Sequence, residues 1–150
     1  MTFSDLKDKK IILTGGSRGI GLSMLDKFYA TGSKVLIIGS NKENLEKTKA
    51  KYPNILTQAF DLSNHTEIPD LFAKCVQELN GLDVLINNAG VVNTSYHETS
   101  EGIENTFAVN HLGYFLFTNL LLNKMKGPEE SRIINVSSAA HSFVKDMNWE

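Results

Sequence analysis

Apolar positions in this chain of 150 residues fall into short uninterrupted runs that alternate with longer stretches of helical spacing. The first run, Lys10-Ile11-Ile12-Leu13-Thr14, is apolar without alternation, which predicts a strand covered on both faces. A helix over 20–31 follows, with Ile20, Met24, Leu25 and Phe28 at helical spacing and Gly32 as its stop. The same reading predicts strands at 35–38, 55–60, 83–86 and 132–136. It places a surface helix carrying Leu45 at 41–51, ending before Pro53. A further helix at 64–79 shows Ile68, Leu71, Phe72, Cys75, Val76 and Leu79 on one face, with Pro69 near its start, where a missing N–H costs least. A long apolar helix spans 103–125, and Gly127-Pro128 punctuates the link to the last strand.

Five βα units in series predict a doubly wound parallel α/β sheet with right-handed crossovers, in one domain over 1–150. No internal repeat, low-complexity tract or linker interrupts it. In such sheets ligands sit at the carboxyl ends of the strands, where strand order reverses. The polar motifs of this chain all fall at predicted strand ends.

Composition narrows the function classes. A net charge of -2 gives no electrostatic case for nucleic acid or an anionic membrane. No apolar run approaches the roughly 20 residues of a membrane-spanning helix. The first residues lack the apolar core of a signal peptide. Cys75 is the single cysteine, so an internal disulfide is excluded, which favours a reducing, cytoplasmic compartment. His65, His97 and His141 are too scattered to form a ligand set, so no metal site is expected, and helix or loop surface is their expected place. For His111, beside Asn110, packing is expected rather than proton shuttling.

The candidate chemistry begins at Thr14-Gly15-Gly16-Ser17-Arg18-Gly19-Ile20-Gly21, between the first strand and its helix. Gly15 permits a tight turn, Gly19 lets backbone approach a pyrophosphate, and Gly21 lets helix and strand pack closely. The helix N-terminus then offers N–H groups and the positive end of its dipole to phosphate. Asn87-Asn88-Ala89-Gly90 closes the fourth strand, and Ser137-Ser138 closes the fifth.

Thr14-Gly15-x-x-x-Gly19-Ile20-Gly21 together with Asn87-Asn88-Ala89-Gly90 resembles the short-chain dehydrogenase/reductase family. Asp61-Leu62, Val109-Asn110, Ile133-Ile134-Asn135-Val136 and Ser137-Ser138 follow in the family's order, so the resemblance runs from about residue 10 to 141. It implies a Rossmann fold. It also implies a cofactor site of Gly15, Ser17, Arg18, Gly19, Ile20, Gly21, Ser40, Asn41, Asp61, Leu62, Asn88, Ala89 and Gly90. Asp61 and Leu62 would meet adenine, and Asn88, Ala89 and Gly90 would pass under the adenosine ribose. Read as residues alone, Asp61 serves equally as a turn or N-cap carboxylate. Asn110 would bind a water through its main chain; as a helical asparagine it serves equally as a structural hydrogen-bonding residue. Ser138 aligns with the family's catalytic serine and would hydrogen-bond the substrate oxygen.

An NAD-preferring site carries an acid at the end of the second strand. Here that place reads Gly39-Ser40-Asn41-Lys42, and Arg18 matches a position that is basic in NADP-preferring relatives, so NADP is favoured over NAD. The pattern around Val109-Asn110-His111-Leu112-Gly113 and 132–141 looks most like the retinol-dehydrogenase-like branch. This implies a lipophilic alcohol or carbonyl substrate, with an insertion between serine and tyrosine that would begin at Ser142-Phe143-Val144. In relatives the long helix often helps form a homo-oligomer; burial in the core is its bland reading.

The family's Tyr-x-x-x-Lys motif should lie beyond Ser138. The chain has Lys145 there but no tyrosine after Tyr114, and Trp149 would belong to a segment continuing in a longer protein. The expectation is therefore an amino-terminal portion, truncated after the fifth strand, with an open strand edge and no dehydrogenase activity of its own. A non-catalytic dinucleotide-binding isoform and a product without stable function are the competing expectations.

Overall fold

The computed structural model describes residues 3–125 and 131–143. The turn at Gly127-Pro128 and the readings of Val144, Lys145 and Trp149 lie outside the described residues. Strands β1 (Lys10–Thr14), β2 (Lys34–Gly39), β3 (Leu56–Ala59), β4 (Val84–Asn87) and β5 (Arg132–Asn135) form one sheet in the order β3-β2-β1-β4-β5. Every neighbouring pair is parallel. The chain winds outward from β1 to β3, then returns to place β4 on the other side of β1. The carboxyl ends of β1 and β4 therefore flank the point where strand order reverses.

Helices cover both faces, which is why the strand runs are apolar without alternation. Ile12, Leu36, Ile38 and Leu85 point to one face and pack with Ile68, Leu71, Cys75 and Leu79 of α3 (Ile68–Leu79) and Phe117 and Leu121 of α5 (Gly113–Met125). Ile11, Leu13, Val35, Ile37, Val84 and Ile86 point to the other, against Leu25 of α1 (Gly19–Ala30) and Leu45 of α2 (Lys42–Lys51). Buried in its helix, Cys75 has its thiol pushed up to about 12 by desolvation, which leaves it an inert core residue.

Three elements differ from the sequence pattern. Ile20 is 68% exposed and faces away from the core; it is the second residue of α1, beyond the reach of the sheet. The helix expected from 64 opens as a 3-10 turn, His65–Glu67, and becomes α-helical only at Ile68, with Pro69 in its first turn. The long helix expected from 103 to 125 starts at α4 (Asn105–Phe107), widens into a π turn over Ala108–Leu112 and resumes as α5. Glu104 caps its start, accepting from the Thr106 and Phe107 backbone N–H groups at 2.8 and 2.7 Å. Those two donors favour the ionised form and hold the Glu104 carboxyl below its ordinary value.

No helix among the described residues is long and apolar enough to cross a membrane. β5 pairs with β4 through Val84↔Arg132 to Asn87↔Asn135 and ends the described sheet, with Ile134 46% exposed.

Candidate functional site

The glycine turn is shaped by what surrounds it. Gly15 has φ +67°, and a Cβ there would lie 2.8 Å from the Ala89 Cα. A Cβ on Gly21 would lie 2.1 Å from the Gly15 carbonyl oxygen, so only glycine lets α1 start this close to the turn. Gly19 differs: its φ is +54°, and a Cβ there would meet no protein atom within 4 Å. Its backbone borders open space. The N-cap residue of α1, Arg18, makes no side-chain cap, whereas Asn41 caps α2 and Glu104 caps α4. The first turn of α1 therefore has no side chain of its own capping residue on its backbone donors.

The carboxyl ends of β1 and β4 are stitched by side chains. The Thr14 hydroxyl accepts from the Asn88 and Ala89 N–H groups at 2.8 and 2.9 Å. It donates to the Ile86 carbonyl at 3.4 Å. Asn88 Nδ2 donates back to the Thr14 carbonyl at 3.0 Å and the Gly15 carbonyl at 3.3 Å. Beside it, Asn87 is fully buried and donates to Thr118 Oγ1 and Asn135 Oδ1 at 2.9 and 2.8 Å, joining β4 to α5 and β5.

Above these strand ends lies a cavity of about 550 Å³. All thirteen residues nominated for the cofactor line it: Gly15, Ser17, Arg18, Gly19, Ile20, Gly21, Ser40, Asn41, Asp61, Leu62, Asn88, Ala89 and Gly90. The exposure of Ile20 thus has a local cause, since its side chain belongs to the cavity wall. Asp61 also does turn work, accepting from the Ser63 N–H at 2.9 Å. Sequence reasoning did not nominate Ile38, Gly39, Asn44, Phe60, Val91, Asn105 and Val109, which complete the lining. Asn44 was legible in principle, since its N–H bonds the N-cap Asn41 at 2.8 Å and so sits on the first turn facing the same loop.

Asn110 and Ser138 are not in the cavity lining. Asn110 occupies the middle of the π turn, and its amide is spent on one residue. Asn110 Oδ1 accepts from the Val91 N–H, and its Nδ2 donates to the Val91 carbonyl, both at 2.9 Å. Ser138 follows the end of β5 and is exposed, with its hydroxyl accepting from the Ala140 N–H at 3.1 Å. That bond is one a serine commonly makes in the turn at a strand end.

His65, expected at the surface, is seated more deeply. Its side chain is 11% exposed. Nε2 lies 3.1 Å from the Ala108 carbonyl, and Nδ1 lies 3.1 Å from Glu101 Oε2. It therefore ties the loop after β3 to the first residue of the π turn. His111 stacks on Phe107 at 5.1 Å on the outside of the helix, in keeping with packing. Among the described residues no cluster of histidine, cysteine and carboxylate side chains is placed to hold a metal.

Comparison with known proteins gives a consistent picture. The family described as short chain dehydrogenase matches residues 9–148. Human retinol dehydrogenase 13 is 36% identical over 152 residues, covering 95% of this chain and 46% of that protein. Human retinol dehydrogenase 11 is 37% identical, with 91% and 45% covered. The chloroplastic short-chain dehydrogenase TIC 32 A of Brassica napus is 37% identical, with 93% and 47% covered. The chain spans about half the length of these curated relatives. A short chain dehydrogenase from Burkholderia cenocepacia, solved in complex with NADP, superposes with a TM-score of 0.80 at 24% identity, over 94% of this chain and 60% of that one. That likeness is one of fold.

The stitched strand ends make a direct prediction. Thr14→Val keeps the shape but leaves the Asn88 and Ala89 amides without their acceptor. Unfolding in denaturant should show a loss of about 1–3 kcal/mol; an unchanged midpoint would mean those amides find other partners.

Proposed function

The chain belongs to the short-chain dehydrogenase family, and from that premise we propose that it is the dinucleotide-binding part of an oxidoreductase moving hydride between NADP(H) and an alcohol/carbonyl pair. One observation carries the reading: thirteen residues from four separate strand ends converge on one cavity at the switch point of the sheet. The residues fit a dinucleotide. Gly19 and the first turn of α1 would take the pyrophosphate, because no Cβ and no capping side chain stands in the way. Asp61 and Leu62 would meet adenine, with Asn88, Ala89 and Gly90 beneath the ribose. Arg18, Ser40 and Asn41 would receive the 2′-phosphate. When bound, the cofactor supplies the hydride; the protein orients it. Ser138 would polarise the substrate oxygen, and the π turn around Asn110 would present main-chain groups to a water.

The similarity to retinol dehydrogenases supports a lipophilic substrate. The absence of any tyrosine after Tyr114 in these 150 residues favours a second reading beside it, cofactor binding without turnover by this chain alone. Tyr114 itself is no substitute proton donor, because its hydroxyl is committed to the Ala89 carbonyl and burial pushes it up to about 12. Homo-oligomerisation through the helix is part of the reading, supported by the exposure of Phe107 (50%), Phe115 (63%) and Leu122 (40%). A cytoplasmic location rests on the single, buried Cys75.

Three measurements test the proposal. Titration should show NADPH bound in preference to NADH, and Arg18→Glu should cost the NADPH complex about tenfold or more, as a lost charge-assisted bond does. An unchanged preference would remove Arg18 from the phosphate site. Turnover of a lipophilic aldehyde by the 150-residue chain should fall about 10²–10⁴ below that of a reductase with its proton donor in place; full activity, abolished by Ser138→Ala, would overturn that expectation. Sedimentation should show a dimer that Phe115→Glu dissociates, and a wild-type monomer would end the oligomer reading.

A further inference from the structure

Ala89, Gly90 and Val91 cross the cavity wall without regular secondary structure, so something other than a ladder must set their height. One helix face supplies it. Asn110 takes both backbone groups of Val91, and four residues on the Tyr114 hydroxyl donates to the Ala89 carbonyl. Residues four apart are neighbours on a helix surface. Here the two side chains grip the residues on either side of Gly90. From the opposite side, the Thr14 hydroxyl holds the Ala89 N–H at 2.9 Å. Ala89 is thus fixed at both ends of its backbone, by β1 through its amide and by α5 through its carbonyl. Tyr114 is half-buried, and desolvation raises its phenol to about 12, so it remains a donor throughout the physiological range.

We propose that Tyr114 is a positioning residue of the dinucleotide site, holding the Ala89-Gly90 peptide at the depth that the bound cofactor requires. This rests on the cofactor reading of the cavity and adds to it a residue that touches no cavity space. The phenol acts through the backbone. Phenylalanine would fill the same volume and lose only the donor, leaving the Ala89 carbonyl free to tilt.

The test compares NADPH affinity, by fluorescence titration, with thermal stability in three forms of the 150-residue chain: wild type, Tyr114→Phe and Gly21→Val. The expected result is NADPH binding by wild type, no binding by Gly21→Val, and about two- to tenfold weaker binding by Tyr114→Phe, as one lost hydrogen bond implies. The ¹⁵N resonance of Gly90, whose amide shares the peptide with the Ala89 carbonyl, should shift in that variant. A purely structural role would lower the melting temperature and leave the affinity of the folded chain unchanged, and that outcome overturns the inference while the cofactor reading stands. Wild type that fails to bind, or binds as Gly21→Val does, overturns both. Should Tyr114→Phe not fold, 3-fluorotyrosine placed at 114 keeps the shape and sharpens the donor. Tighter NADPH binding then supports the inference, and unchanged binding overturns it.

Discussion

The Thr14 hydroxyl sits at the point where the sheet changes direction, and the site's geometry follows from its bonds. Thr14 is fully buried at the end of β1, so its oxygen must be satisfied inside the protein. It takes the Asn88 and Ala89 amides, which have just left β4 and have no ladder partner of their own. Asn88 returns two bonds to the Thr14 and Gly15 carbonyls. These bonds lock the glycine turn to the loop after β4, so that two segments 74 residues apart in sequence form one wall. The close contacts at Gly15 and Gly21 are the steric side of the same constraint, since turn, loop and helix pack too closely there to admit a side chain.

A second layer braces that wall from α4, the π turn and α5. A π turn replaces regular i→i+4 bonding with i→i+5 bonds and is frequent at functional sites. Here Asn110 leaves the helix surface to bond Val91, and His65 adds a contact to the Ala108 carbonyl, which also accepts from the Gly113 N–H. Gly113 follows the turn where a Cβ would stand 3.0 Å from the Leu62 carbonyl. The loop after β3, the loop after β4 and the helix are therefore mutually adjusted. Moving any of them changes the shape of the cavity.

The sheet is less evenly protected than the site. The middle strands are buried on both faces, but β5 has exposed side chains along most of its length and hydrogen bonds on its β4 side. On α5, Phe115 is an exposed aromatic side chain of the kind that favours a partner. The fully buried side of α5 at Phe117 and Leu121 belongs to the core, so the long apolar helix serves packing and exposure at once.

Much of this was legible because the relevant signals are local. An uninterrupted apolar run between turns specifies a doubly covered strand, and glycines at 15, 19 and 21 specify a tight turn, closed to side chains at Gly15 and Gly21 and left-handed at Gly19. Strand ends carrying Asp61, Asn88 and Ser138 could be placed on one edge of the sheet from their order alone. Tertiary structure decided the rest. It gave His65 a buried partner across 43 residues. It broke the long helix at Ala108 and spent the Asn110 amide on Val91. Helical periodicity reports which residues avoid water, but not which backbone groups across the fold are left needing a hydrogen bond. That need arises only when distant segments are brought together.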